Sequence, residues 1–138
     1  MNRERGSAAL EITLVTPLLI LVLLFVIGLG RLASARGEVD GAARDAARAA
    51  SITRNPAAAV TAAKAAAEAT LADRLISCHH VHVSTDTSDF QPGGSVTVDV
   101  ACDVDLADVA PAGFGTRTLH GHAIAVIDTY RGSDAPRP

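Results

Sequence analysis

Hydrophobic and polar positions along the chain change period twice, and the first pattern is a long apolar segment. Leu18–Ile27 is an unbroken apolar run, and it lies within Ala8–Leu29, where Glu11 is the single charged residue. A bilayer is spanned by about 20 predominantly apolar residues. Because lipid offers the backbone no hydrogen-bond partners, such a segment must be helical. The sequence therefore predicts a transmembrane helix.

The second pattern is rich in alanine and predicts more helix. From Arg31 to Ser51, alanine favours continuation of the first helix. Since the combined helix is far longer than a bilayer is thick, we expect it to project beyond the membrane. A second helix is predicted from Pro56 to about Leu75, because Asn55 is a favourable N-cap and proline suits the first helical position. Its expected buried stripe is Val60, Ala63, Ala67, Leu71 and Leu75.

The third pattern has a period of two, which predicts strands. Its apolar positions are Val81 and Val83, followed by Val96, Val98, Val100, Cys102, Val104 and Leu106. Pro92–Gly94 lies between the two runs and predicts a hairpin. A third strand is expected from Leu119 to Tyr130, after a loop that begins at Pro111–Gly113, and residues 132–138 are expected to be disordered.

These elements predict an α+β fold. It consists of a long N-terminal transmembrane helix that continues outside the membrane, a second helix, and a small antiparallel β-sheet of about three strands. Hydrophobic residues make up 49% of the chain and aromatic residues only 3%, so much of the apolar fraction is alanine, which buries little area. A large independent core is therefore not expected.

Charge and motifs narrow the classes of function. The net charge is −3, which argues against a nucleic-acid-binding protein that relies on overall positive charge. The sequence lacks a glycine-rich phosphate loop, a nucleophile elbow and a metalloprotease helix motif. We therefore expect neither an enzyme nor a cofactor.

Three features of the apolar segment require explanation. Pro17 removes one helical hydrogen bond and predicts a kink. Glu11 places an ionisable group in a membrane, which costs about 2.5–3.5 kcal/mol and marks a functional position, unless it lies close enough to the helix start to reach the interface. Ala33–Ala35 fits the cleavage pattern of a secretory signal peptide, with Arg3 and Arg5 as its basic region. A plain anchor and a cleaved signal peptide are therefore alternative interpretations.

An ordered set of motifs covers residues 5–50. Its members are Arg5-Gly6-Ser7-Ala8-Ala9-Leu10-Glu11, Leu14-Val15-Thr16-Pro17 with the apolar run after it, Gly28-Leu29-Gly30-Arg31, and the alanine–arginine helix from Gly41 to Ala50. The set resembles the TadE/TadG family of pilus-assembly proteins, which belong to the tight-adherence branch of the type IV pilus machinery. The short soluble part favours a TadE-like over a TadG-like role.

The resemblance implies processing by a prepilin peptidase, which would cut after Gly6 and leave Ser7 as the first residue. Glu11 would then be the fifth residue, where the family's glutamate is thought to neutralise the new N-terminal amine during subunit packing. Pairing of this kind would give Glu11 the partner that a charge in a membrane requires. Many relatives carry phenylalanine at the position of Ile12. In the N-terminal helix, Pro17 and Gly28 are the candidate positions for kinking and helix packing.

The resemblance further implies a minor pilin or pseudopilin that acts in assembly of a tight-adherence type IV pilus. Residues 1–6 would be the leader, 7–51 the transmembrane and projecting helix, 56–131 a small extracytoplasmic domain, and 132–138 a tail. The expected partners are membrane lipid, the prepilin peptidase and other pilus-assembly subunits, with no nucleic acid. The expected location is the cytoplasmic membrane, single-pass with a cytoplasmic N-terminus, either outside the pilus or as part of it.

A second class of function fits the same segment. As a signal peptide or anchor, it would deliver a secreted or membrane-anchored extracytoplasmic binding module that recognises a ligand or metal through its sheet. Glu11 distinguishes the two hypotheses, because a plain anchor or signal has no use for a charged residue there.

The two cysteines of the chain are Cys78 and Cys102. Outside the cytoplasm they are expected to form a disulfide, which would stabilise the fold by about 3 kcal/mol. Cys102 is in step with the valines of its strand, whereas Cys78 is out of step with Val81 and Val83. We therefore place Cys78 at the end of the second helix or at a bulge, so that the bond ties helix to sheet. Two buried free thiols are the alternative.

Four histidines form two pairs, each with a spacing of two residues. His80 and His82 share one strand face, and so do His120 and His122. If the two strands were neighbours, the imidazoles would converge on zinc or copper. Nothing in the spacing places the pairs opposite each other, so no metal site is predicted and the four remain candidates. The alternative is exposed strand residues that respond to pH.

Overall fold

The chain folds into two helices followed by three strands within the residues that the computed structural model describes, which are 4–74, 78–105 and 115–130. The chain divides into two compact units, Met1–Ala33 and Ser34–Pro138, and the boundary between them lies inside the first helix. The predicted α+β architecture of a long apolar helix, a second helix and a three-stranded antiparallel sheet is confirmed.

Helix α1 is the long apolar helix and extends over Glu4–Ser51. Two hydrogen bonds use free carbonyl groups at its C-terminal end. The Ser51 hydroxyl donates to the Arg48 carbonyl at 2.9 Å, and the Thr53 N–H donates to the Ala50 carbonyl at 3.1 Å. In the second unit its buried hydrophobic side chains are almost all small, and they are Ala35, Val39, Ala42, Ala43, Ala46, Ala47 and Ala50. Small side chains let neighbouring elements approach this part of the helix closely.

Helix α2 extends over Pro56–Ala72, with Pro56 at its first position. The Asn55 side chain accepts a hydrogen bond from the Ala58 N–H at 2.8 Å, which satisfies one free donor of the first turn. The hydroxyl of Thr70 donates to the Asp45 carboxylate at 3.2 Å and links α2 to α1.

The buried stripe of α2 corrects one expectation. Its buried residues are Ala59, Ala63, Ala67 and Leu71. Val60 was expected at the start of this stripe, but it is 44% exposed. The helix turns about 100° per residue, so moving from Ala59 to Val60 leaves the buried face. The helix also ends before the predicted Leu75, which lies outside the described residues.

The sheet contains β1, Cys78–Asp86, β2, Ser95–Asp105, and β3, Thr116–Val126, in the order β1–β2–β3 with antiparallel neighbours. The third strand begins and ends earlier than the predicted Leu119–Tyr130, and Tyr130 is 95% exposed. The predicted loop at residues 111–113 and the tail at 132–138 lie outside the described residues.

The predicted hairpin joins β1 to β2. Asp86 accepts a hydrogen bond from the Ser88 N–H at 2.9 Å, and this bond, with a second one from the Ser88 hydroxyl, holds the pKa of the Asp86 carboxyl below its ordinary value. Gly93 has φ +81°, a left-handed conformation that glycine adopts without steric cost. The Gly93 N–H donates to the Ile127 carbonyl at 3.1 Å, which anchors the connection just beyond β3.

The core lies on one face of the sheet. There the central strand β2 contributes Val96, Val98, Val100, Cys102 and Val104, all of them buried. On β3, Gly121 marks a close approach of α1, because a Cβ at that position would lie 2.5 Å from the Val39 carbonyl oxygen. Only glycine fits this contact unless helix and strand move apart. The opposite face of the sheet, hereafter the outer face, carries the residues that alternate with these.

Candidate functional site

Within the part of the chain that the structure describes, the large side chains of the apolar segment of α1 are exposed. Fourteen aliphatic or aromatic residues between positions 12 and 29 are exposed, and they are Ile12, Leu14, Val15, Leu18, Leu19, Ile20, Leu21, Val22, Leu23, Leu24, Phe25, Val26, Ile27 and Leu29. A continuous exposed apolar surface of this size is typical of a segment that contacts lipid or another protein. Within the described residues, this is the one helix that is long and apolar enough to cross a membrane.

Glu11 lies at the end of this surface nearest the N-terminus, and its side chain is exposed. Residues three and four positions further along a helix share its face, so Leu14 and Val15 lie beside the Glu11 carboxylate. Gly6 and Ser7, the predicted processing site, lie in the first turns of α1. The acidic group therefore borders an apolar surface and follows the predicted cleavage position by about one helical turn.

Pro17 and Gly28 both lie inside α1, which is helical on either side of each. Directly before Pro17, the Thr16 hydroxyl donates a hydrogen bond to the Ile12 carbonyl at 2.7 Å. At Gly28 an added Cβ would meet no atom within 4 Å, so the backbone there is open to a neighbouring molecule. These features fit the predicted kinking and packing roles, which remain predictions.

Cys78 and Cys102 form a disulfide, as expected, with their Cα atoms 5.5 Å apart. Of the two placements considered for Cys78, the bulge is correct, because the register shifts between Cys78 and His80. The shift turns Cys78 onto the same face as Cys102, which explains why Cys78 is out of step with Val81 and Val83 along the sequence. The bond joins the adjacent strands β1 and β2, so the expectation that it ties helix to sheet was wrong.

The two histidine pairs lie on the outer face, on the two strands that flank β2. Their strands are not neighbours, because the register places Ala101 of β2 between His82 and His120. In the next row, Asp99 stands beside His122, and its carboxylate oxygen Oδ1 lies 2.7 Å from the His122 Nδ1. Among the described residues, no group of three or more histidine, cysteine, aspartate or glutamate side chains could hold a metal ion.

An open depression of about 350 Å³ lies along this part of the sheet. Its lining includes His82, Ala101, His120 and His122, with the Asp99 carboxylate as an acidic neighbour. His80 is one row away, opposite Asp103. The sequence revealed which strand residues share a face, but it did not reveal the strand order that brings these pairs together over Ala101.

Residues 6–48 match the family model described as TadE-like protein. No curated protein and no solved structure matches the chain. The matched range contains Gly6, Glu11, Pro17 and the whole exposed apolar surface, so the predicted family resemblance is confirmed. Over residues 6–48 this chain is similar to the TadE-like family, and the rest of the chain lies outside the match.

Proposed function

We propose that this chain is a membrane-anchored subunit of the minor pilin or pseudopilin kind in a tight-adherence type IV pilus. The observation that carries the proposal is the coincidence of the TadE-like match with the exposed apolar surface of α1. Lipid covers this surface before assembly, and the helices of other pilus subunits cover part of it afterwards. Exchange of lipid for protein contacts is feasible because the two environments are similarly apolar.

Glu11 supplies the specificity that such an apolar surface lacks. A carboxylate in a membrane segment costs about 2.5–3.5 kcal/mol, and a paired cation recovers part of that cost. After cleavage behind Gly6, the amine of Ser7 on a neighbouring subunit is the partner we propose. The pair forms only when two helices are in the correct register, so it selects the axial position of each subunit.

The orientation follows from two arguments. Arg3 and Arg5 precede the apolar segment and favour a cytoplasmic N-terminus, although Arg31 and Arg36 reduce the charge asymmetry. The disulfide between Cys78 and Cys102 favours an oxidising compartment for the second unit. We therefore place residues 56–131 outside the cytoplasm.

The test replaces Glu11 in the full chain, expressed in cells that assemble the pilus. Glu11→Ala should insert into the membrane normally but should no longer co-purify with other pilus components, whereas Glu11→Asp should retain part of the association. Glu68→Ala is the matched control, because Glu68 is an exposed glutamate of α2 whose ion pair with Lys64, at 3.9 Å, contributes little. Association that survives in Glu11→Ala would contradict the assembly role.

The mass and N-terminus of the same membrane preparations identify the processing route. A start at Ser7 that requires the prepilin peptidase supports the pilin-like function. A start at Arg36 that is lost in Ala33→Leu instead supports the secreted binding module, because signal peptidase needs a small residue there. An intact Met1 would leave a plain anchor and remove the amine partner proposed for Glu11.

A further inference from the structure

The outer face of the sheet interleaves histidines with aspartates. On the central strand, Asp103 pairs with His80 of β1, and Asp99 pairs with His122 of β3, whose Nδ1 lies 2.7 Å from the Asp99 Oδ1. Within the three described strands, no outer-face position is a lysine or an arginine. The titratable groups of this face are therefore the four histidines of the two pairs and four aspartates, which are Asp86, Asp99, Asp103 and Asp105.

The charge of this face changes with pH. At about pH 8 aspartate is ordinarily ionised and histidine neutral, so the face has a net charge of about −4. Asp40 of α1, which lines the depression beside the strands, adds a further carboxylate. At about pH 5 histidine is ordinarily protonated, and the four imidazolium groups then offset most of this negative charge. Two copies of this face therefore repel each other at alkaline pH and lose that repulsion as the pH falls.

The register of β2 and β3 makes this face complementary to a second copy of itself. A two-fold axis parallel to these strands, and midway between them, would place each β2 residue opposite its own register partner on the other copy. Asp99 would then face the imidazole of His122, and Thr97 would face the aliphatic side chain of Ile124. No carboxylate of β2 would stand directly opposite another carboxylate, because the β3 partners of all its outer-face aspartates are threonine or histidine.

The open depression gives the opposing side chains room. Its volume is about 350 Å³, and Ala101, which lines it, has only a methyl side chain. In the same two-fold arrangement, the His120 ring of each copy lies over Ala101 of the other. The His120 side chain is exposed and rotates about χ1 and χ2, so it can enter this space without a movement of the backbone.

We propose that the outer face is an acid-dependent interface between two copies of this chain, formed by β2 and β3 of each. These strands have 11 residues apiece, so they present roughly 400 Å² of flat surface on each copy. Because that area is at the low end for a specific interface, the charge of the two faces decides whether they associate. Ile124 and Val126, which are 62% and 74% exposed, supply apolar area to the contact. The interface goes beyond the assembly role, which rests on the N-terminal helix.

The test is the self-association of the full chain in detergent micelles, measured by sedimentation at about pH 7.5 and about pH 5.5. The unaltered chain should associate at least about tenfold more tightly at the acidic pH, because association of two acidic faces takes up protons. Glu11→Ala should keep this pH dependence. That variant distinguishes the interface from the assembly role of the N-terminal helix, in which Glu11 is required.

Two double variants change the charge of the face in opposite directions without altering the pairs that face each other. His80→Gln with His82→Gln removes two cations of β1 and should weaken association at about pH 5.5 about tenfold. Asp86→Asn with Asp103→Asn removes two anions, keeps their hydrogen-bond acceptors, and should strengthen association at about pH 7.5 about tenfold. The matched control is His79→Gln, because His79 is exposed at the bulge and lies outside the depression.

A third substitution tests the shape of the interface. Ala101→Leu fills the depression and should abolish association at acidic pH. Ala65→Leu adds the same side chain to an exposed position of α2 and should leave association unchanged. The circular dichroism spectrum of each variant checks that the fold is intact.

The proposal is overturned if the unaltered chain associates equally at both pH values, or if Glu11→Ala abolishes the pH dependence. It is also overturned if the histidine and aspartate double variants do not shift association in opposite directions. Equal association of the Ala101→Leu and Ala65→Leu variants would show that the contact lies elsewhere on the chain.

Discussion

The two compact units place their hydrophobic residues in opposite ways. In the first unit, large side chains such as Leu21 and Phe25 are exposed and share one long surface. In the second unit, the fully buried side chains are small, and valine is among the largest of them. The first unit therefore depends on an external apolar environment, whereas the second depends on close internal packing.

This difference determines what stabilises each unit. A helix in lipid satisfies its backbone hydrogen bonds internally, so the first unit needs no tertiary core. Burial of alanine and valine contributes less than burial of leucine or phenylalanine, so the second unit needs further constraints. The disulfide and the tight contact at Gly121 are two such constraints.

The largest expected effect comes from a charge in the middle of the apolar surface. Leu21→Arg replaces a favourable insertion contribution with an unfavourable one, a difference of about 3–4 kcal/mol. We expect a large fall in the fraction of protein that stays in membranes after alkaline carbonate extraction. Val60→Arg is the control, since Val60 is an aliphatic residue of the second unit that already reaches solvent. Equal retention of both variants would indicate that protein, and not lipid, covers the surface.

The next largest effect is a loss of stability that is confined to the second unit. Replacing Cys78 and Cys102 together with serine should lower the free energy of unfolding of the second unit by about 3 kcal/mol, because the unfolded chain regains the entropy of the closed loop. Hydrogen exchange of the β2 amides measures this loss. Membrane retention should stay unchanged, because the first unit does not contain the bond. A variant with unchanged exchange rates would mean that the alanine–valine core suffices alone.

The fold was largely predictable because each element carries a strong local signal. The apolar run, the Asn55-Pro56 helix start and the period of two in β2 each depend on nearby residues alone. The stripe of α2 was misplaced because alanine occupies most of its positions, so hydrophobicity hardly distinguishes one face from the next. The strand ends of β3 were shifted for a related reason, since boundaries have weaker signals than elements.

The candidate sites were predictable to different extents. Glu11 stood out because a charge interrupts an apolar segment, and the partner proposed for it came from the family resemblance alone. The alternation of the strand residues left a bulge as one of two placements for Cys78, and only the register decided between them. The position of Ala101 between two histidines depended on strand order, which no local pattern in the sequence specifies.

The smallest effect distinguishes a glycine required by packing from one that is not. At Gly121 an added Cβ would lie 2.5 Å from the carbonyl oxygen and 2.7 Å from the carbonyl carbon of Val39, whereas at Gly37 it would meet no atom within 4 Å. Gly121→Ala should therefore destabilise the second unit by about 1–3 kcal/mol, as overpacked sites do. Gly37→Ala should stabilise helix α1 by about 0.5–1 kcal/mol, because alanine loses less backbone entropy.

Urea unfolding of the two glycine variants, followed by hydrogen exchange in β3, measures both signs in one experiment. Changes of opposite sign in the free energy of unfolding mean that α1 packs directly on β3. The small side chains of the second unit then allow the helix and the strand to approach each other closely. Two stabilised variants would contradict that packing, because an alanine at Gly121 can gain helix–strand stability only if Val39 lies further away. The two units would then differ only in the size of their side chains. The close backbone contact at Gly121 would no longer explain why the second unit has alanine where the first has leucine.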